Sequence, residues 1–222
     1  MSLTRKLAAE FLGTAGLLVV VVGSGIMGER LAGGNAAVAL LGNSIATGAG
    51  LIVLIYGLAH ISGAHFNPAV TLTAVINSEI KLSLGSGYIA AQFLGAAGGV
   101  IIANLMFELP AVNISTKVRA GWGQVLGEVV ATFGLIGVIA LFSRFSPKLI
   151  GAMVACYITA AYWFTSSTSF ANPAVTVARS LSNTFAGIAP ASIPMFILAQ
   201  FAGAFAALLF FKWLTAVEEI NE

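Results

Sequence analysis

Six stretches of this chain, about residues 7–27, 36–58, 87–107, 122–143, 148–166 and 192–214, are long and apolar, with nearly all charges lying between them. About 20 residues at ~1.5 Å rise cross a ~30 Å hydrocarbon core, so each stretch can span a bilayer. Backbone inside that core must satisfy its own hydrogen bonds, which leaves helices or a closed barrel. A barrel needs short alternating segments, and these runs are continuous. Composition agrees: the 222 residues include 10 Lys plus Arg and 8 acids, every acid a Glu. Only 8% of residues are charged. A soluble domain carries about 25%, so this chain cannot cover a water-facing surface. It reads as an all-α membrane protein.

The same arithmetic excludes a disordered chain, a coiled coil and a nucleic-acid module, since the net charge is +2 and scattered. A single cysteine, Cys156, excludes an internal disulfide. The segment Met1-Ser2-Leu3-Thr4-Arg5-Lys6 reads as the cytoplasmic start of the first span, not as a removable signal peptide. Charges collect at Glu29-Arg30, Glu79 and Lys81, Glu108 to Arg119, Arg144 to Lys148, and the Glu218-Glu219 tail. With both termini inside, Arg5, Lys6, Lys81, Arg144, Lys148 and Lys212 are cytoplasmic, while Arg30, Lys117, Arg119 and Arg179 are outside. That excess follows the positive-inside rule and points to a multi-pass protein of the plasma membrane. Trp122, Trp163 and Trp213 fall near span ends, as interfacial anchors do.

An internal repeat organises the spans. Ala9-Glu10-Phe11-Leu12-Gly13-Thr14 is echoed by Gly127-Glu128-Val129-Val130-Ala131-Thr132, offset by 118 residues. Asn67-Pro68-Ala69-Val70-Thr71 returns as Asn172-Pro173-Ala174-Val175-Thr176 at an offset of 105. Ala91-Gln92-Phe93-Leu94-Gly95-Ala96 is echoed by Ala199-Gln200-Phe201-Ala202-Gly203-Ala204 at 108. The single transmembrane domain, 1–222, therefore divides into halves of about 1–110 and 118–222. Each half holds three spans, an odd number, so the second is inverted relative to the first. Inverted 3+3 repeats place a solute site near the midplane, between the halves.

The Asn-Pro-Ala segments each precede a short apolar run, about 67–77 and 172–183. At 1.5 Å per residue such a run is roughly 15 Å long, half of the membrane core. Two re-entrant half-helices entering from opposite faces would meet at the midplane. Pro suits the first helical position because its missing N–H would be unpaired anyway, and Asn is a strong N-cap. The arrangement predicts a polar constriction in which Asn67 and Asn172 cap their helices and offer amide donors to a solute.

These segments, with His60-Ile61-Ser62-Gly63-Ala64-His65-Phe66-Asn67-Pro68-Ala69, make the chain resemble the aquaporin (major intrinsic protein) family along essentially its whole length. The resemblance implies six transmembrane helices plus two re-entrant half-helices, with one pore in each protomer of a homotetramer. It further implies a ladder of pore carbonyls from Gly63, Ala64, His65 and Phe66, continued by Thr168, Ser169, Phe170 and Ala171. Most of that family carry Arg directly after the second Asn-Pro-Ala; here the residue is Val175. Counting from the motifs assigns the other selectivity-filter positions to Thr47, Ala160 and Ser169. That ring, small and uncharged, is expected to be wider than a single file of water. Val in place of the filter Arg resembles a bacterial subgroup associated with arsenic resistance. The expected cargo is therefore water, glycerol-like polyols and undissociated metalloid hydroxides such as arsenite, crossing a bacterial inner membrane. A strictly water-selective channel is the alternative.

Arg179, one turn beyond Val175, is expected to line the outer vestibule without reaching the ring, or else to snorkel to the interface. Glu10 and Glu128, repeat mates inside apolar spans, are expected to accept backbone N–H bonds from the re-entrant connections. His60 and His65 read as hydrogen-bonded supports of the first connection; without Cys or acidic partners at ligand spacing they make no metal site, and no cofactor is implied. Cys156 is expected as a small buried hydrophobe, with a pore-facing thiol as the alternative. An intramembrane enzyme would need a nucleophile and base, or a metal cluster; here the two Glu of the spans lie 118 residues apart and no Asp exists to complete a triad. An ion-coupled transporter, the less favoured rival, would normally place an uncompensated charge at the midplane.

Overall fold

The computed structural model describes residues 1–216, so the Glu218-Glu219 tail lies outside the described residues. Eight α-helices are described: α1 (Leu3–Leu31), α2 (Ala36–Ser62), α3 (Pro68–Ile76), α4 (Leu82–Met106), α5 (Trp122–Phe145), α6 (Ile150–Phe164), α7 (Pro173–Ala178) and α8 (Ile193–Leu214). Helices α1, α2, α4, α5 and α8 are each long and apolar enough to cross a membrane. α6 has only 15 residues, and a 3₁₀ turn, Pro147–Leu149, extends it at its start. At 1.5 Å per α residue and 2.0 Å per 3₁₀ residue the pair reaches about 28 Å, a sixth span.

Local chemistry sets several boundaries. Asn35 starts α2 by accepting hydrogen bonds from the Ala37 and Val38 N–H groups at 3.0 and 3.3 Å. α2 runs four residues past the expected end and stops at Gly63, whose φ of 96° only glycine adopts without strain. The short helices are the re-entrant pair: α3 has nine residues, and α7 has six followed by a 3₁₀ turn, Arg179–Leu181.

α1 packs against α4 and α2, α5 packs against α8, and α2 meets α6 to close the ring around α3 and α7. The close crossings of the two halves use the same device. A Cβ on Gly95 of α4 would collide with the Phe11 carbonyl of α1, and one on Gly203 of α8 with the Val129 carbonyl of α5. Without lipid-driven hydrophobic collapse, helices gain contact by bringing backbones together over small residues. Replacing either glycine by leucine should force the helices apart at a cost of at least about 1–3 kcal/mol. Thermal unfolding in detergent should show a lowered midpoint for Gly95→Leu and Gly203→Leu alike.

Candidate functional site

The connections into α3 and α7 bring unpaired backbone N–H groups into the protein interior. Glu10 on α1, fully buried, accepts from the His65 and Phe66 N–H groups at 3.0 and 2.7 Å and from Ser62 Oγ at 2.6 Å. Glu128 on α5 is equally buried and accepts from the Phe170 and Ala171 N–H groups at 2.8 and 2.9 Å. A glutamine completes each carboxylate: Gln92 Nε2 donates to Glu10 at 2.8 Å, Gln200 Nε2 to Glu128 at 2.6 Å. Each glutamine also bonds the threonine of its Asn-Pro-Ala-Val-Thr segment, Thr71 or Thr176. The three repeat landmarks of the sequence are thus one hydrogen-bonded triad, built twice.

Supported in this way, the loops hold residues in the left-handed region: Ala64, Phe66, Thr168, Ser169 and Ala171 have φ between 47° and 62°. For non-glycine residues this costs about 1 kcal/mol or more each, and it persists because the surroundings fix it. Such a backbone turns successive carbonyls out of any helical or sheet pairing. Of the eight carbonyl-ladder residues, Gly63, Ala64, His65, Phe66, Ser169, Phe170 and Ala171 line a cavity of about 760 Å³; Thr168 does not.

The two Asn residues meet where the half-helices do. Asn67 Oδ1 accepts from the Ala69 N–H at 2.9 Å, and Asn172 Oδ1 from Ala174 and Val175 at 3.0 and 3.3 Å. Each Nδ2 crosses to the other loop, Asn67 to the Ala171 carbonyl at 2.7 Å and Asn172 to the Phe66 carbonyl at 2.8 Å. One amide hydrogen on each side is thereby committed, which leaves the second for a solute. Both Asn residues line the cavity. Pro68 and Pro173 occupy first helical turns, while Ala69 and Ala174 are fully buried against neighbouring helices.

The cavity runs from Glu79, Arg144 and Lys212 at one mouth to Arg179 at the other. Thr47, Ser169 and Val175 line it, but Ala160 does not. Ala160 is exposed, because α6 turns the ridge Ile150, Val154, Ile158 and Tyr162 to the cavity, and Ala160 stands two residues, about 200°, away from that ridge. Tyr162, on that ridge, lines the cavity instead, its hydroxyl 3.3 Å from Thr47 Oγ1. An aromatic that the motif count left out therefore stands beside Thr47 on the cavity wall. The Ser169 hydroxyl is buried without a hydrogen-bond partner, so Ser169 meets the cavity through its other atoms.

Of the two places open to Arg179, the structure takes the cavity wall over the interface: the residue is 2% exposed, lines the cavity, and donates from Nε to the Ala186 carbonyl. Two further expectations are corrected. His60 is exposed on the last turn of α2 and its side chain forms no hydrogen bond among the described residues, so the support falls to His65. His65 Nδ1 lies 3.1 Å from Thr71 Oγ1, and its ring packs edge-on to Tyr88 at 5.4 Å. Cys156 is neither buried nor pore-facing; it is exposed on the outside of α6.

The sequence matches the family described as Major intrinsic protein over residues 1–165. The chain belongs to that family. Within it, the chain is 50% identical over 212 residues to Aquaglyceroporin AqpS of Rhizobium meliloti, covering 96% of this chain and 91% of that protein. It is 33% identical over 194 residues to Aquaporin NIP2-1 of Oryza sativa subsp. japonica, covering 84% of this chain and 64% of the plant protein. The X-ray structure of the aquaglyceroporin from Plasmodium falciparum shares the fold, with a TM-score of 0.71 at 21% identity, over 95% of this chain and 96% of that one. This major intrinsic protein is accordingly an integral membrane channel for water and small solutes, not an enzyme.

One residue that motif counting missed, Tyr162, was within reach of periodicity. Tyr162 continues the four-residue ridge of α6, and four residues are about 400° of helix. Arg119 had no such signal: it sits in the α4–α5 connection, yet it is buried by contacts to the Gly187 and Ser167 carbonyls, at 2.9 and 3.4 Å, from distant segments.

Two experiments follow. Glu128→Ala leaves two buried N–H donors without a partner, at about 1–3 kcal/mol each. The yield of monodisperse protein by size-exclusion chromatography should fall sharply, and Glu10→Ala should behave the same way. On a Cys156→Ser background, a membrane-impermeant mercurial should block flux through Tyr162→Cys and spare Ala160→Cys. Wild-type flux should be insensitive to the same reagent.

Proposed function

We propose that this channel passes small neutral polyols and undissociated metalloid hydroxides such as arsenite, together with water, as a homotetramer with one pore per protomer. The observation that carries the reading is Val175. The position directly after the second Asn-Pro-Ala is an uncharged, 4% exposed side chain on the cavity wall, which also carries a Thr47–Tyr162 hydroxyl pair. A wall that combines apolar and hydroxylated surface suits a solute with a hydrocarbon or metalloid face and several hydroxyls. Such a solute exchanges its hydrogen bonds with Tyr162, the loop carbonyls and the free hydrogens of Asn67 and Asn172. The likeness to a protein named an aquaglyceroporin supports the same solute class.

We place the protein in a bacterial inner membrane with both termini in the cytoplasm. In that orientation the mouth with Glu79, Arg144 and Lys212 is cytoplasmic and the Arg179 mouth faces out. Among the described residues no carboxylate stands free at the meeting point of the half-helices, where Asn amides and carbonyls do the bonding, and this favours passive flow over ion coupling.

Proteoliposome flux of water, glycerol and arsenous acid tests the proposal. All three should move down their gradients without saturation and without an ion gradient; water flux with both larger solutes excluded would make it a strict water channel. Val175→Arg should narrow the ring and lower glycerol and arsenous-acid flux more than water flux.

A further inference from the structure

At the mouth where α7 ends, one strap of chain offers three successive carbonyls to three different cations. Phe185 O accepts from Lys117 Nζ at 2.8 Å, Ala186 O from Arg179 Nε, and Gly187 O from Arg119 Nε at 2.9 Å. Glu29 pins the same strap by accepting from the Phe185 N–H at 3.1 Å. The Arg179 and Arg119 guanidiniums also stack on one ring, Phe170, at 3.5 and 4.9 Å from its centroid. Phe170 is itself held edge-on by Phe196 at 5.2 Å.

Carbonyls satisfy donors without cancelling their charge. Burial, and then the positive charges of Arg119 and Arg179, hold the Lys117 ammonium below its ordinary pKa, with Glu29 opposing them. The cluster is therefore crowded with positive charge, and that crowding has to be offset by something.

Arg179 is placed for more than holding the strap. A guanidinium carries five N–H donors in one plane, and only Nε is used here; neither Nη has a hydrogen-bond partner among the described residues. The Nε bond on one side and the Phe170 ring against its face fix that plane. The same residue lines the cavity beside Thr47, Tyr162 and Val175. Counted along the helix it is one turn beyond Val175, yet the strap keeps it at the cavity wall.

We infer that Arg179 is a solute-contacting donor of this constriction and that its Nη groups, acting with the Tyr162 hydroxyl, set which hydroxylated solutes pass. The inference rests on the channel reading above. Val175 leaves the wall open, and Arg179 supplies from one turn further out the donors that a multiply hydroxylated solute meets as it sheds water. Phe170 and Arg119 are positioning residues, since they act through the guanidinium and the strap.

The test compares proteoliposome permeabilities of water, glycerol and arsenous acid for wild type, Arg179→Gln, Arg179→Lys and Phe170→Leu, with folding checked by size-exclusion chromatography. Arg179→Gln should lower the glycerol-to-water and arsenous-acid-to-water ratios about tenfold, the effect of losing a charged hydrogen bond. Arg179→Lys, which keeps the charge but not the fork, should fall between that variant and wild type, and so should Phe170→Leu. A purely structural role would lower all three permeabilities in parallel and leave the ratios unchanged. That result, or a rise in the ratios marking Arg179 as a steric plug, would overturn the inference. If Arg179→Gln does not fold, the ratios of Arg179→Lys decide in the same way. Wild-type vesicles that pass neither glycerol nor arsenous acid would instead sink the channel reading itself.

Discussion

The fold depends on a carboxylate that accepts backbone N–H bonds in a place where water cannot. A chain that dips to the middle of a membrane and turns back must satisfy the peptide groups of the turn, since each unpaired one costs several kcal/mol in hydrocarbon, a figure on the order of 2–7. Glu10 and Glu128 do this for the two turns, each holding two successive N–H groups within 3.0 Å. A burial that would normally count against an ionisable side chain is here offset by several donors. Remove the carboxylates and neither half-helix has an anchored start.

Because both halves solve the same problem, they solve it with equivalent residues. Ser62 and Ser167 hold the N–H two residues on, at 3.1 and 3.2 Å. His65 on Tyr88 and Phe170 on Phe196 are repeat-related edge-on pairs, at 5.4 and 5.2 Å. The halves are then tied to each other by the crossed Asn bonds, each amide donating to the carbonyl just before the other motif's Asn. The left-handed residues follow from this: a loop whose N–H groups face a carboxylate on one side presents its carbonyls to the lumen on the other.

Function enters where the halves differ. His65 in the first half corresponds to Phe170 in the second, and only Phe170 carries stacked guanidiniums. Val70 and Val175 are equivalent by repeat, but only the latter is followed by the 3₁₀ turn that sets Arg179 into the wall. The two mouths therefore differ chemically. One is a crowded cluster of cations on carbonyls; the other carries Glu79 with Arg144 and Lys212. The duplicated frame provides a path through the membrane, and the unduplicated residues make its two mouths chemically unlike.

Much of this was legible in the chain. Length and hydropathy dictate helices because lipid offers no other partner for backbone, and the duplicated Asn-Pro-Ala segments with Glu10, Glu128, Gln92 and Gln200 mark the triads. Capping by Asn67 and Asn172 is local chemistry, so it could be read from adjacent residues. The cavity wall was only partly legible. Thr47 and Val175 line the cavity, but Ala160 does not and Tyr162 does, because which face of α6 meets the cavity is set by packing against α2 and α5. His60 and Cys156 were misjudged for the same reason: exposure on a helix surrounded by lipid or neighbours is not a local property. Arg119 lay furthest from reach, and for Arg179 the sequence left two places open. By itself the sequence determined the spans, the inverted halves and the re-entrant caps, all consequences of satisfying backbone within short range. Only the tertiary structure decided which side chains face the pore, because the carbonyls of Ala186 and Gly187 that turn those two arginines inward come from a segment brought there by the fold.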